Sequence, residues 1–471
     1  MNPALVSAVE QRRMLLDGEI SAVELLDACL DQHDRHNPAL NAVVHLELDR
    51  ARRGAAEADD VLASGAAVGP LHGLPMTVKD CIDWEGTPTT WGDPAQAGNI
   101  AADDAAVVAQ LRAAGAIVYG KTNVPLFLGE WQTFNRIHGR TDNPWDPTRT
   151  PGGSSGGSAV AVATGMSSLE VGSDIGGSIR WPAAYTAAAG LKPSYGLVSQ
   201  RGHTYPGQPG TVDNNVVGPI ARSVADLELM LPVMHEPFMA PAAATQQSLH
   251  DFRVGIVLHS PVGEQDDQVT RTIEAAVAAL VDAGVRVVAP PRTELLVETH
   301  EVGLELGRAA ACGPYPPPPA EDLDRYKQGG RDYDALAAWG AAMPYREWIG
   351  LNNRRGELRA RWTDYFGGAD LLLAPVTPTT APPHDTHRPF NEQTVLVNGA
   401  ERPLIEQWIW ASLANPTYQP SVAFPAGLAD DGLPVGMQAV GPFMADRTCL
   451  RFGVLAQSVL GHPLASANFA R

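Results

Sequence analysis

Three polar residues stand in surroundings that give them no ordinary structural role. Lys79 ends the apolar run Leu74-Pro75-Met76-Thr77-Val78, Ser154 lies in Gly152-Gly153-Ser154-Ser155-Gly156-Gly157, and Ser178 closes Gly176-Gly177-Ser178. A serine hydroxyl attacks poorly unless a base takes its proton. Lysine, with an ordinary pKa of about 10.4, is protonated at neutral pH and cannot be that base. Burial disfavours the ammonium and lowers the pKa, so a lysine enclosed in the core can accept a proton. Glycines beside a serine let backbone N–H groups approach a substrate carbonyl and stabilise the oxyanion that forms on it. Together the three residues could carry out acyl transfer.

The order and spacing of these segments resemble the amidase signature family, serine hydrolases that cleave carboxylic amides. The matching positions are the lysine after Leu74-Pro75-Met76-Thr77-Val78, the first serine of the Gly152–Gly157 cluster, and the last serine of Gly172-Ser173-Asp174-Ile175-Gly176-Gly177-Ser178. The resemblance implies a Lys79–Ser154–Ser178 triad with Ser178 as nucleophile. Ser154, held by a cis peptide after Gly153, would pass protons between Ser178 and Lys79. The backbone N–H groups of Ile175, Gly176, Gly177 and Ser178 would form the oxyanion hole, and Asp174 and Arg180 would hold the loop. It implies neither a metal nor an organic cofactor.

The match is dense from Ser21 to Glu228 and thinner around Ile256, 372–383 and 420–441. Two stretches depart from the family: Tyr185-Thr186-Ala187-Ala188 replaces a common Cys-Gly, and Asn135-Arg136-Ile137-His138-Gly139 replaces Asn-Pro-x-x-Gly. In the family, the segment after Thr122-Asn123-Val124-Pro125 borders the substrate. Here it holds Leu126, Phe127, Leu128, Gly129 and Trp131, and Trp181 lies near the nucleophile. They suggest an apolar or aromatic acyl group, although the same residues would serve equally as core.

Other chemistries fit less well. Gly153-Ser154-Ser155-Gly156-Gly157 matches G-x-S-x-G, but the preceding Asp146-Pro147-Thr148-Arg149-Thr150-Pro151 is not the buried strand that a nucleophile elbow needs. No S-x-x-K surrounds Lys79, and no Gly-Lys-Ser/Thr marks a phosphate loop. The pairs His33/His36 and His384/His387 lack a third ligand at suitable spacing and read as surface histidines.

The elements that must position these residues alternate strand and helix, which predicts an α/β fold: a large mixed β-sheet covered by helices on both faces. Ser21 to Glu24 forms a capping box ahead of a helix. Strands are expected over 41–48, over a short stretch ending on Lys79, and over 117–119, 168–171, 190–198, 252–258, 285–288, 370–375 and 421–425. A buried uncharged helix is expected over 158–164. Pro314-Tyr315-Pro316-Pro317-Pro318-Pro319 reads as a rigid surface connection. The expected organisation is a single amidase domain over 1–471: a helical part (1–65), a signature core (66–230), a peripheral insert (231–365) and a return to the core (366–471).

With 471 residues, 44% hydrophobic, the chain can bury a large core. Its 53 acidic against 34 basic residues give a net charge of −19, which argues against a nucleic-acid or anionic-membrane partner. Four scattered cysteines without C-x-x-C spacing suggest reduced thiols. No apolar run resembles a membrane span, and a cytoplasmic location is expected.

The expected function is hydrolysis of carboxylic amides through a Ser178 acyl-enzyme, with esters, anilides and carbamates as further candidate substrates. The expected partner is a small-molecule amide; a homodimer is left open. Two alternatives stand beside it: a glutamine-hydrolysing amidotransferase subunit, and a catalytically silent binding protein of the same fold.

Overall fold

The computed structural model describes residues 2–463. Eleven strands form its main sheet: β1 (Val43–Leu46), β2 (Pro75–Lys79), β3 (Ile117–Thr122), β4 (Leu169–Asp174), β5 (Ala189–Lys192), β6 (Val216–Ala221), β7 (Arg253–Ile256), β8 (Arg286–Val288), β9 (Leu371–Pro375), β10 (Ser421–Leu428) and β11 (Pro434–Val440). Their order across the sheet is β1-β3-β2-β4-β6-β5-β10-β11-β9-β7-β8. The β3-β2-β4 and β9-β7-β8 neighbours are parallel, and the remaining pairs are antiparallel. This is the mixed α/β sheet expected from the alternation of elements.

Local sequence explains the elements around the reactive residues. The Ser21 hydroxyl accepts from the Glu24 amide at 3.1 Å and the Glu24 carboxylate accepts from the Ser21 amide at 2.8 Å, opening α1 (Ala22–Leu40). Parallel β2 and β4 are buried along their whole lengths; β2 is largely apolar up to Lys79, whereas β4 buries Glu170, Ser173 and Asp174. The uncharged α2 (Gly156–Ala163) packs against β2, β4 and β6, and against α3 (Arg180–Thr186). The helix α2 starts within the first glycine-serine cluster, at Gly156, and α3 starts two residues after Ser178 of the second.

Several expectations need correction. The strand expected over 190–198 ends at Lys192, because Pro193 cannot donate to the ladder. The strand expected over 168–171 continues to Asp174, which carries the chain to the loop that holds Ser178. β6 was not read from the sequence because Gly218-Pro219 interrupts it, although it lies between β4 and β5. His36 is buried, and His384 lies 3.1 Å from Asp142 with little exposure, so neither is a surface histidine. Cys29, Cys81 and Cys449 are buried free thiols, and Cys312 is half-buried. No helix among the described residues is long and apolar enough to cross a membrane.

Candidate active site

Lys79, the last residue of β2, is fully buried. Its Nζ donates to Ser154 Oγ at 2.7 Å and to Ser173 Oγ at 3.0 Å. Burial pushes its pKa down to about 8. Lys121 and Lys192 are also fully buried, but each reaches a backbone carbonyl: Lys121 bonds Ile82 O, and Lys192 bonds Pro193 O at 2.9 Å and Gln419 O at 2.7 Å. Lys79 is held by two serine hydroxyls and can exchange a proton with either when neutral. Ser173 was not singled out in the sequence; its alternation with Asp174 on β4 is the signal that could have found it.

The Gly153–Ser154 peptide is cis. A Cβ at Gly153 would lie 2.6 Å from Glu130 O and 2.9 Å from Gln132 N, so that backbone contact requires glycine. The Ser155 amide donates to Ser178 O at 3.2 Å, joining the two serine clusters. Ser178 is 5% exposed. Its hydroxyl makes no hydrogen bond among the described residues, so the contact to Ser154 that a triad requires is not formed in this structure.

Asp174 organises the loop that carries Ser178. Its carboxylate accepts from the amides of Gly177 (2.8 Å) and Ile179 (3.2 Å), and from Arg180 Nε (3.0 Å) and Nη2 (3.1 Å). Asn415 adds a further bond at 3.1 Å, and Arg180 continues to Gln438 Oε1 at 2.9 Å. The Arg180 charge and these donors hold Asp174 well below the usual carboxylate range despite its burial. The Gly177 amide is therefore engaged by Asp174, which leaves Ile175, Gly176 and Ser178 as amides of the loop not taken by that carboxylate. At Gly177, φ is +105° and Trp181 Nε1 lies 2.6 Å from where a Cβ would be, so both backbone and space demand glycine.

A cavity of about 470 Å³ opens beside this loop at Ile175. Phe127, Leu128 and Gly129 line it, and Leu126 points to solvent. Trp131 and Trp181 do not line it. Their rings pack 4.2 Å apart, 7% and 1% exposed, in a core cluster with Phe390 and Trp408. The reason is the direction of α3, which carries Trp181 back under Gly177. The cavity's other aromatics come from distant segments: Trp91, His203, Tyr205, Tyr315 and Trp348. Tyr315 leaves the proline-rich connection to place its hydroxyl against Gly129.

The family model described as Amidase matches residues 24–311 and 336–450, and the chain belongs to the amidase signature family. It is 34% identical to an indoleacetamide hydrolase of Bradyrhizobium diazoefficiens, over 92% of this chain and 82% of that protein. It is 32% identical to a glutamyl-tRNA(Gln) amidotransferase subunit of Acidothermus cellulolyticus, over 96% of this chain and 94% of that protein. Among solved structures, a bacterial aryl acylamidase of the amidase signature family aligns with a TM-score of 0.80 and 27% identity, over 98% of this chain and 99% of that one. The chain is an amide hydrolase.

Proposed function

We propose that this enzyme hydrolyses amides of apolar or aromatic carboxylic acids through an acyl-enzyme on Ser178. The observation that carries the reading is the 2.7 Å contact between a fully buried Lys79 Nζ and Ser154 Oγ, on the strand next to the one leading into the Ser178 loop.

Neutral Lys79 takes the Ser154 proton as Ser154 takes that of Ser178, and Ser178 Oγ bonds to the amide carbon. The carbonyl oxygen becomes an oxyanion facing the amides of Ile175, Gly176 and Ser178. The proton returns from Lys79 through Ser154 to the leaving nitrogen, because an amide anion leaves poorly. The C–N bond breaks, and water then releases the carboxylate by the same relay. The apolar and aromatic lining of the cavity supports the acyl preference.

The likeness to the glutamyl-tRNA(Gln) amidotransferase protein favours glutamine as a second substrate to test. Release of ammonia or aniline from a panel of arylacetamides, anilides, aliphatic amides and glutamine separates the readings. Preference for arylacetamides over glutamine is the expected result. A preference for glutamine, or no turnover of any amide, would overturn it.

A further inference from the structure

Four arginines are nine-tenths or more buried among the described residues: Arg180, Arg222, Arg308 and Arg355. Three of them find oxygen acceptors. Arg180 pairs with Asp174, Arg355 with Asp213 at 2.8 Å, and Arg222 bonds the carbonyls of Val6, Val162 and Ser167. Arg308, near the end of the helix Thr293–Ala311, has no such partner among the described residues. Its guanidinium carbon lies over the ring of Tyr333 (4.3 Å) and over that of Trp408 (4.5 Å), and its buried Nε has no hydrogen-bond partner among the described residues. Stacking on two rings offsets part of the loss of water but satisfies none of the in-plane N–H donors. A buried cation left in this state is costly unless an anion completes it.

Arg308 opens into a cavity of about 240 Å³ next to the acyl cavity, and the two share Ala311, Cys312 and Tyr315 as walls. Tyr315 stands where the two meet, with its ring 5.2 Å from Phe127 and its hydroxyl at Gly129. On the other side, the six-membered ring of Trp408 that stacks on Arg308 also lies against Gly176 of the proposed oxyanion loop. Two carboxylates, Asp322 and Asp334, line the smaller cavity. Asp322 pairs with Arg325 at 2.9 Å, and Asp334 accepts from Asn391 at 2.6 Å and lies 3.9 Å from Arg325. Both are thus partnered away from Arg308.

We infer that Arg308 is the binding site for a carboxylate on the substrate, so that the enzyme acts on monoamides of dicarboxylic acids whose apolar spacer occupies the cavity at Phe127. The guanidinium fork matches a carboxylate bidentately, and the two rings already pack against the group. This rests on the proposed amide hydrolysis and changes the acyl class, from purely apolar acids to acids whose apolar spacer ends in a carboxylate.

The test uses monoamides of straight-chain dicarboxylic acids, from glutaramate to suberamate, each beside its methyl ester. In the wild-type enzyme, kcat/KM for at least one chain length should exceed that of its ester by about tenfold to a hundredfold, the range for a charge-assisted bond. Arg308→Met should collapse that ratio, and Arg308→Lys should retain part of it. Calorimetric binding of the same pairs to Ser178→Ala protein gives the preference without turnover, so failure of the hydrolysis reading is distinguishable from failure of this one. Equal binding of acid and ester at every chain length would overturn the inference, as would a ratio unchanged in Arg308→Met. If the free dicarboxylates changed amide turnover without competing with substrate, Arg308 would serve a separate anion and the assignment to substrate would fall.

Discussion

At the residue scale, the account depends on the protonation of Lys79. With its pKa near 8, about a tenth of the lysine is neutral at pH 7 and half at pH 8. Because only the neutral amine can accept a proton, kcat/KM for a neutral amide should rise with pH and level off above about 8. Ser173 accepts from Nζ and so favours the ammonium. Ser173→Ala should therefore move the midpoint of that profile to lower pH, a shift that a merely structural role would not produce. Lys79→Ala and Ser178→Ala should each lower turnover by about a thousandfold or more while leaving far-UV circular dichroism unchanged. These residues were legible in the sequence because each sits in a short, locally marked segment: a lysine ending an apolar strand and serines between glycines. Trp181 was misplaced for the opposite reason. Its nearness to Ser178 along the chain says nothing of the direction α3 takes, and that direction buries its ring under Gly177.

At the element scale, Glu170 joins three neighbouring strands. It lies fully buried on β4 and receives the Thr77 hydroxyl from β2 and, at 3.4 Å, that of Thr122 from β3. Burial raises its pKa to about 8, so at pH 7 the folded protein holds it largely as the neutral acid. The stability this group contributes is fully present below its unfolded pKa, declines as pH rises above that value, and is lost as pH passes its folded pKa near 8. Glu170→Gln, which keeps the shape of the neutral acid, should flatten that slope and change stability at pH 7 by less than about 1 kcal/mol. Glu170→Ala should cost about 2 kcal/mol or more by leaving a cavity and unpaired hydroxyls. Urea unfolding at pH 6, 7 and 8 checks both. The strand β2 was legible as an apolar run and β4 only as far as Val171, whereas β6 was hidden by a proline that sequence rules exclude from a central strand.

At the scale of the whole molecule, the cavity beside Ile175 is assembled from parts far apart in the chain. Arg355, on the helix Tyr345–Gly368, crosses to Asp213 at 2.8 Å, and Tyr418 Oη donates to the same carboxylate at 2.6 Å. Asp213 and Trp348 both line the cavity, so this ion pair ties its two walls together. Arg355→Met leaves a mostly buried Asp213 without its cation. It should lower stability by about 2 kcal/mol, less than a fully buried pair would lose, and raise KM more than it lowers kcat. Thermal unfolding and steady-state kinetics read the two effects. This convergence explains why the cavity was less legible than the triad. Phe127, Leu128 and Gly129 follow a recognisable segment, but Trp91, His203, Tyr205 and Tyr315 reach the cavity from loops whose path no local pattern fixes. Tyr315 in particular sits in a proline run that reads as surface connection.

The most direct test of the central claim is peptide-mapped mass spectrometry of the protein after exposure to a fluorophosphonate. The account predicts one adduct, on Ser178, formed in step with loss of amide hydrolysis and absent from Ser178→Ala. An adduct on Ser154 or Ser155 instead, or undiminished turnover of the amide by Ser178→Ala, would contradict it.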